Sequence, residues 1–127
     1  MPKIKVLLVE NNKIFREAFK HNLCRYFPSL IFEEAVDGEE ALKKIKASPP
    51  ALVFTDMSLS GMNGLQLTQK IKKDFGNIPI AILTGYDLPE YKEAALQYGA
   101  ERFFVKESLM WEGIKEFLDS MVQRKGM

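Results

Sequence analysis

Five polar side chains stand directly after short apolar segments of the chain: Glu10, Asn11, Asp56, Thr84 and Lys106. Two carboxylates combined with backbone carbonyl oxygens suit a hard cation such as Mg²⁺. A hydroxyl and an ammonium suit the oxygens of a phosphoryl group. A carboxylate beside a metal ion can attack phosphorus and form an acyl phosphate. These residue types therefore indicate phosphoryl chemistry, provided that the fold brings them together.

The apolar segments have the composition of buried β-strands. Residues 6–9 are Val-Leu-Leu-Val, which is apolar on both faces of a strand, as a parallel strand covered on both sides requires. Similar segments predict four further strands, at 30–32 continuing to 35–36, at 52–54, at 80–83 and at 103–105.

Helical patterns lie between these segments. The first predicted helix places six residues on one apolar face, namely Ile14, Phe15, Ala18, Phe19, Leu23 and Tyr26. Asp37 is predicted to cap the second helix, with Glu40 as the glutamate of a capping box. The third helix is predicted from Gly64 to about Phe75. Further helix boundaries are predicted at Gly76, Asp87, Gly99 and Ser108.

Five strands that alternate with five helices predict an α/β fold with a parallel sheet covered on both faces. Right-handed crossovers make such a sheet doubly wound, and ligands bind at the carboxyl ends of its strands. The five polar side chains are therefore expected to converge at one edge of the sheet. The alternative is that strand-end polar residues only cap helices, and this alternative stays open for Asn11, Asn12 and Ser108.

Composition excludes several classes of protein. The chain has 127 residues, which is the size of one domain, with 46% hydrophobic and 28% charged residues. Its net charge of +1 gives no reason to expect binding to nucleic acid or to an anionic membrane. One cysteine excludes an internal disulfide and fits a reducing compartment. No apolar run approaches the length of a membrane span, and the first residues do not form a signal peptide.

Four segments together carry a family resemblance: VLLVENN at 6–12, LVFTDMSLSGMNG at 52–64, IAILTG at 80–85 and GAERFFVK at 99–106. In this order and spacing they resemble the receiver domain of two-component response regulators. The resemblance extends over essentially all of 1–127 and implies a single receiver domain. It implies a flavodoxin-like, three-layer α/β/α fold with five parallel strands in the order 2-1-3-4-5 and five helices.

The resemblance assigns roles residue by residue. Asp56 matches the phosphoacceptor, with Thr84 and Lys106 as its catalytic partners. Mg²⁺ ligands are implied at Glu10, at Asp56, at the backbone carbonyl of Ser58 and, more weakly, at Asn11. Thr84 and Phe103 match the switch residues, while Ser58 and Tyr86 match positions that tune hydrolysis of the phosphoryl group.

Three residues depart from the family pattern. Asn11 stands where an acid usually binds Mg²⁺, so the formal charge of Glu10, Asp56 and Lys106 is −1 where −2 is usual. Attraction for the cation is expected to fall, although the amide oxygen of Asn11 can still coordinate it. Ser60 replaces a proline and leaves its loop less restrained. Glu107 replaces a proline after the lysine, so no cis peptide is expected there.

The implied function is signalling by phosphorylation. A sensor histidine kinase or a phosphotransfer protein would supply the phosphoryl group, and a downstream protein or an output domain outside this sequence would read the surface of helix 4, strand 5 and helix 5. The domain itself is expected to bind neither nucleic acid nor membrane, to lie in the cytoplasm and to allow homodimers on activation. It is not expected to be an enzyme with separate substrate turnover.

Two other functions remain as alternatives. A pseudo-receiver would use the same fold to bind proteins without phosphorylation, and Asn11 motivates it. A hydrolase or a flavin- or nucleotide-binding enzyme on a similar sheet is the third reading, although no glycine-rich phosphate loop follows strand 1. His21 and Cys24 are expected on the polar side of helix 1, without catalytic roles. Trp111 is expected either to be half-buried or to anchor a partner.

Overall fold

A computed structural model of the chain describes residues 4–108 and 111–125. Strands and helices alternate along the chain. The strands are β1 (Lys5–Val9), β2 (Ile31–Ala35), β3 (Leu52–Asp56), β4 (Ile80–Thr84) and β5 (Arg102–Val105). The helices are α1 (Lys13–Tyr26), α2 (Gly38–Ala47), α3 (Gly64–Phe75), α4 (Pro89–Gln97) and α5 (Trp111–Lys125), and a 3₁₀ turn (Lys106–Ser108) follows β5.

The five strands form one parallel sheet in the order β2-β1-β3-β4-β5. This confirms the expected α/β class and the flavodoxin-like strand order. The chain reverses its direction of winding between β1 and β3, so the strand ends on either side of that point border a crevice. The register pairs Val9 with Thr55, Asp56 with Leu83, and Thr84 with Val105.

Apolar residues on both faces of the sheet build the core. On one face, β1 and β3 residues such as Leu8 and Phe54 pack with Phe19 of α1 and Phe117 of α5. On the other face, the alternate strand residues pack against α2 and α3. A third cluster beneath α4 contains Ile82, Ala95 and Met57, with Tyr91 and Phe103 packed against it.

A chain of aromatic rings crosses the face that α1 and α5 cover. Phe15 stacks on Phe19 with ring centroids 5.7 Å apart, and Phe19 meets Phe54 edge to face at 5.0 Å. Phe54 meets Phe117 edge to face at 6.3 Å. The guanidinium carbon of Arg102 lies 4.9 Å from the centroid of the Phe117 ring. The rings therefore connect the first turn of α1 with the outer strand β5.

Several predicted boundaries are confirmed. Asp37 caps α2 by accepting from the Glu40 N–H at 2.8 Å. The Glu40 side chain accepts from the Val36 N–H, one residue before the position that a capping box requires. Gly76 and Gly99 lie at the ends of α3 and α4 with positive φ angles, a conformation that glycine adopts without strain.

Other predictions about the helices are wrong. Ile14 is 81% exposed and Tyr26 is 51% exposed, so neither belongs to the buried face of α1. Asp87 does not cap α4, because the helix begins at Pro89 and Leu88 occupies the cap position without a side-chain hydrogen bond. Proline suits the first helical position, where its missing N–H would have had no partner in the helix. Ser108 ends the 3₁₀ turn, and the predicted cap of α5 at Ser108 lies outside what the structure describes, because residues 109 and 110 are not among the described residues.

Three side chains for which sequence analysis predicted no catalytic role, those of His21, Cys24 and Trp111, lie on α1 or close to it. His21 is exposed and Cys24 is partly exposed, as expected. Trp111 is half-buried, and its ring lies 5.3 Å from that of Phe19, which favours packing over a role as an exposed anchor. Within the described residues, no helix combines the length and the apolar character needed to cross a membrane.

Candidate functional site

The carboxyl ends of four strands bring the predicted residues to one edge of the sheet. Glu10 follows β1, Asp56 ends β3, Thr84 ends β4 and Lys106 follows β5. Glu10 and Thr84 are each only 1% exposed and Asp56 is 7% exposed, so the core holds all three polar groups. Burying charged groups is costly unless they are paired, which makes their partners informative.

Lys106 joins the two carboxylates. Its Nζ lies 2.6 Å from Oε1 of Glu10 and 3.4 Å from Oδ2 of Asp56. A single ammonium therefore faces two buried carboxylates, and the local formal charge is −1. The side chain of Lys106 is 20% exposed, more than the side chain of either carboxylate.

The protein environment raises the pKa of Asp56. Burial makes the largest contribution, and the nearby negative charge of Glu10 adds to it. The Lys106 ammonium and the Ser58 N–H, which donates to Oδ1 at 3.3 Å, act in the opposite direction. Asp56 is thus a carboxylate whose ionised form the fold destabilises, and such groups concentrate at functional sites.

The two carboxylate oxygens of Glu10 have different partners. Oε2 accepts from the Asn12 N–H at 2.9 Å. Oε1 is buried and accepts no hydrogen bond from the described residues, although Lys106 Nζ is in ion-pair contact with it. Oε1 is therefore a buried carboxylate oxygen whose partner is already a cation, and oxygen atoms of this type also suit Mg²⁺.

The hydroxyl oxygen of Thr84 already accepts one hydrogen bond. The Tyr86 N–H donates to Thr84 Oγ1 at 3.2 Å, which leaves the hydroxyl proton free to donate elsewhere. Tyr86 is 60% exposed, and its ring meets that of Tyr91 on α4 edge to face at 6.3 Å. Phe103 is half-buried on β5, packed against the cluster beneath α4.

The structure separates the predicted metal ligands into two groups. Glu10 and Asp56 lie within contact distance of the same ammonium. Asn11 is exposed and accepts from Arg16 Nη1 at 3.3 Å through its backbone carbonyl. In the described part of the chain, no group of three or more His, Cys, Asp or Glu side chains could hold a metal ion. The oxygen donors present are still of the type that Mg²⁺ prefers, although only two of them are carboxylates, those of Glu10 and Asp56.

Sequence reasoning missed two residues of the first turns of α1. Phe15 lies under Lys106, with Nζ 4.5 Å from its ring centroid. Arg16 Nη1 donates to the carbonyl of Glu10 at 2.8 Å, and its Nε donates to Glu34 at 3.0 Å. Helical periodicity marked Phe15 only as a core residue. Periodicity shows which face of a helix is apolar, but it does not show which side chains of other segments Phe15 and Arg16 meet.

Comparison with known proteins shows which family the chain resembles. Residues 6–117 match the family described as the response regulator receiver domain. The probable transcriptional regulatory protein NarL of Mycobacterium tuberculosis (strain CDC 1551 / Oshkosh) is 30% identical over 117 residues, which cover 92% of this chain and 54% of that protein. The chain thus spans about half the length of this curated relative.

One further relative and one solved structure show the same similarity. The gliding motility regulatory protein of Myxococcus xanthus is 31% identical over 121 residues, which cover 94% of this chain and 15% of that protein. The solved signal receiver domain of the response regulator NarL from Mycobacterium tuberculosis superposes with a TM-score of 0.82 at 28% identity. That match covers 95% of this chain and 98% of the solved chain.

Proposed function

The chain belongs to the response regulator receiver domain family, and from this premise we propose that Asp56 accepts a phosphoryl group from a phosphohistidine. Receiver domains in general act as phosphoacceptors and are not classed as enzymes, and response regulators receive phosphate from histidine kinases. The observation that carries the proposal is the contact of one ammonium, that of Lys106, with both Glu10 and Asp56 in a buried site.

The proposed transfer forms one bond and breaks one bond. A carboxylate oxygen of Asp56 attacks phosphorus, and the bond between phosphorus and the donor histidine nitrogen breaks. The histidine nitrogen keeps the electron pair of that bond, and Asp56 becomes an acyl phosphate. The attack requires ionised Asp56, a form that the Lys106 ammonium and the Ser58 N–H favour.

Lys106 and Thr84 act on the transferred group in this proposal. The Lys106 ammonium would exchange part of its contact with Asp56 for a phosphoryl oxygen, because both are negatively charged oxygens. The Thr84 hydroxyl, whose proton is free, would donate to another phosphoryl oxygen. Movement of Thr84 would open space into which Phe103 turns, and the surface of α4, β5 and α5 would change with it.

Receiver domains in general use Mg²⁺ in phosphorylation. In this chain the carboxylates of Glu10 and Asp56 and the backbone carbonyl of Ser58 would hold it, with Asn11 as a weaker ligand. When bound, the ion supplies positive charge that neutralises the phosphoryl oxygens. The chemistry of the donor set supports this assignment, because Oε1 of Glu10 is a buried carboxylate oxygen that already faces a cation, the Lys106 ammonium. The exposed side chains of Ser58 and Tyr86 would tune how readily water reaches the phosphoryl group.

The proposed partners follow from the same reaction. A sensor histidine kinase or a phosphotransfer protein donates the phosphoryl group. A downstream protein or an output domain beyond this sequence reads the changed surface, and a second copy of the chain is a further partner on activation. We also propose a single receiver domain over 1–127 and a cytoplasmic location, which the lone free Cys24 supports.

A second function is favoured by one specific observation. The site contributes two carboxylates and the neutral Asn11, which lies exposed beside Glu10. A pseudo-receiver would keep the fold and bind its partner without phosphorylation. In that case Mg²⁺ would produce no change in the protein, and Asp56→Ala would bind the partner as well as the unmodified chain.

Intact mass spectrometry tests the primary proposal. The chain is incubated with Mg²⁺ and acetyl phosphate, in parallel with Asp56→Ala and with Asp74→Ala, whose carboxylate is exposed on α3. A gain of one phosphoryl mass in the unmodified chain and in Asp74→Ala, but not in Asp56→Ala, supports Asp56 as the acceptor. Equal uptake by Asp56→Ala would refute it. Absence of uptake with both acetyl phosphate and a phosphorylated histidine phosphotransfer protein would favour the pseudo-receiver.

A further inference from the structure

We infer that Phe15 is a positioning residue for Lys106, because its ring face holds the lysine ammonium beside Glu10 and Asp56 before a phosphoryl group arrives. The inference rests on the proposed function. It deepens that function by giving a role to an aromatic residue of α1 that the reaction itself does not require.

The contact is geometrically specific. Lys106 Nζ lies over the Phe15 ring at 4.5 Å from its centroid, well inside the distance of about 6 Å at which an ammonium is attracted to an aromatic face. The same nitrogen lies 2.6 Å from Glu10 and 3.4 Å from Asp56. The ammonium is thus held by two carboxylates and one ring, which come from separate segments of the chain.

Lys106 needs such a restraint. Its ammonium stands at the end of a flexible four-carbon stem, which loses considerable rotamer freedom when it is fixed in one place. The lysine side chain is 20% exposed, so water competes for the ammonium at the mouth of the site. An aromatic ring excludes water from one side of the ammonium and attracts it at the same time.

Phe15 is itself held in place. Its N–H donates to the Asn12 side chain at 3.1 Å, which fixes the first turn of α1. Its ring stacks on Phe19 at an interplanar angle of 27°, and Phe19 is 1% exposed in the core. The ring is therefore a rigid platform, and displacement of Lys106 would cost the ammonium–ring contact without disturbing the core.

The chain contains a matched control for this contact. Phe32 is half-buried and packs against the same core cluster as Phe15, and the Lys20 ammonium lies 5.8 Å from its ring centroid. Phe32 belongs to β2, and Lys20 pairs with Glu34, outside the candidate site. Phe32→Leu therefore removes a comparable ring and a comparable ammonium contact without touching Lys106.

The experiment compares the unmodified chain with Phe15→Leu, Phe15→Tyr and Phe32→Leu. Nuclear magnetic resonance measures the shifts of the Lys106 methylene protons next to Nζ, which a ring beneath them moves upfield. We expect the upfield shift in the unmodified chain, in Phe15→Tyr and in Phe32→Leu, and its loss in Phe15→Leu. This pattern establishes that the Phe15 ring, and not that of Phe32, lies against the Lys106 side chain, and the rate below tests whether that contact positions the ammonium.

The second readout is the rate of phosphoryl uptake from acetyl phosphate at saturating Mg²⁺. We expect Phe15→Leu to slow uptake about fivefold, the size that an ammonium–ring contact supports. Phe15→Tyr keeps an aromatic ring and should take up the phosphoryl group at the rate of the unmodified chain, and so should Phe32→Leu. Denaturant unfolding of all variants separates this effect from a general loss of stability.

Two results would overturn the inference. One is the absence of an upfield shift for Lys106 in the unmodified chain, a result that requires no variant to fold. The other is a rate in Phe32→Leu that falls as far as in Phe15→Leu. If the unmodified chain takes up no phosphoryl group from any donor, the proposed function fails, and the proton shifts alone decide whether Phe15 positions Lys106.

Discussion

At the scale of single residues, the site places more negative than positive charge in a buried space. Glu10 and Asp56 share one ammonium, and burial raises the free energy of each ionised carboxylate. A protein that needed only a stable fold would gain from replacing one of these acids. The two acids are therefore better explained by the reaction that we propose than by stability.

Asp56→Asn should stabilise the chain in the absence of metal. The pKa of Asp56 is raised in the folded state above its usual value of 3.8, chiefly by burial and by Glu10. Its contribution to stability is therefore full below its unfolded-state pKa and is lost as the pH rises through the folded-state pKa. At neutral pH the variant should gain about 1 kcal/mol, a size common for single substitutions.

Denaturant unfolding between acidic and neutral pH measures this difference. The advantage of Asp56→Asn should grow as the pH rises and then level off once Asp56 is ionised. Asp74→Asn, on the exposed side of α3, should change the stability by less than about 0.5 kcal/mol at any pH. A variant less stable than the unmodified chain at neutral pH would contradict this account of the site.

At the scale of elements, helix α3 is built against the end of the strand that carries Asp56. A Cβ atom on Gly64 would lie 2.3 Å from the Asp56 carbonyl oxygen and 2.8 Å from Met57 Cα. Backbone atoms cannot move aside as a flexible side chain can. The Gly64 N–H also donates to the Met57 carbonyl at 2.9 Å, so the helix and the strand end are joined directly.

Gly64→Ala should therefore destabilise the chain by about 1–3 kcal/mol, the usual cost of forcing extra volume into a packed site. Gly85→Ala is the matched control, because a Cβ atom there meets nothing within 4 Å. Thermal and denaturant unfolding measure both variants. Equal stabilities of the two variants would show that α3 can retreat from β3 without cost.

The elements also show how far sequence reasoning extends. The five strands and the caps at Asp37, Gly76 and Gly99 were predicted because they depend on neighbouring residues in the chain. The cap at Asp87 was wrong because Pro89 competes for the helix start. Ile14 was assigned to the core because periodicity cannot show where the neighbouring elements end, and it is exposed.

At the scale of the whole molecule, the strand order follows from tertiary packing and not from any local pattern. The alternation of strands and helices predicted the fold class, whereas the order 2-1-3-4-5 came only from the family resemblance. The convergence of Glu10, Asp56, Thr84 and Lys106 could be predicted, because all parallel strands end at one edge. The contact between Phe15 and Lys106 could not, since helical periodicity assigns Phe15 to the core side of α1 and does not show which side chain of another element its ring meets.

Cation binding should be visible in the stability of the entire domain. A ligand that binds only the folded chain stabilises it by about 2.7 kcal/mol at a concentration 100 times its Kd. Mg²⁺ should raise the thermal unfolding midpoint of the unmodified chain, and of Asn11→Asp more strongly. The added carboxylate changes the formal charge of the site from −1 to −2, and we expect Mg²⁺ affinity to rise about tenfold, or ~1.4 kcal/mol.

Calorimetric titration with Mg²⁺ gives the affinities directly, and Asn77→Asp, in the exposed connection between α3 and β4, controls for added charge alone. An affinity of Asn11→Asp no higher than that of the unmodified chain would remove Asn11 from the ligand set. Absence of any Mg²⁺ effect in the unmodified chain would favour the pseudo-receiver.

The row of rings from Phe15 through Phe19 and Phe54 to Phe117 has a consequence for protein engineering. A cation rests on the ring at each end of the row, Lys106 at one and Arg102 at the other. Redesign of either inner ring, Phe19 or Phe54, would affect both ends of the row, the lysine of the site and the outer strand. Anyone who wishes to retune this domain without altering its site should therefore work on the sheet face that α2 and α3 cover, away from Gly64 at the start of α3.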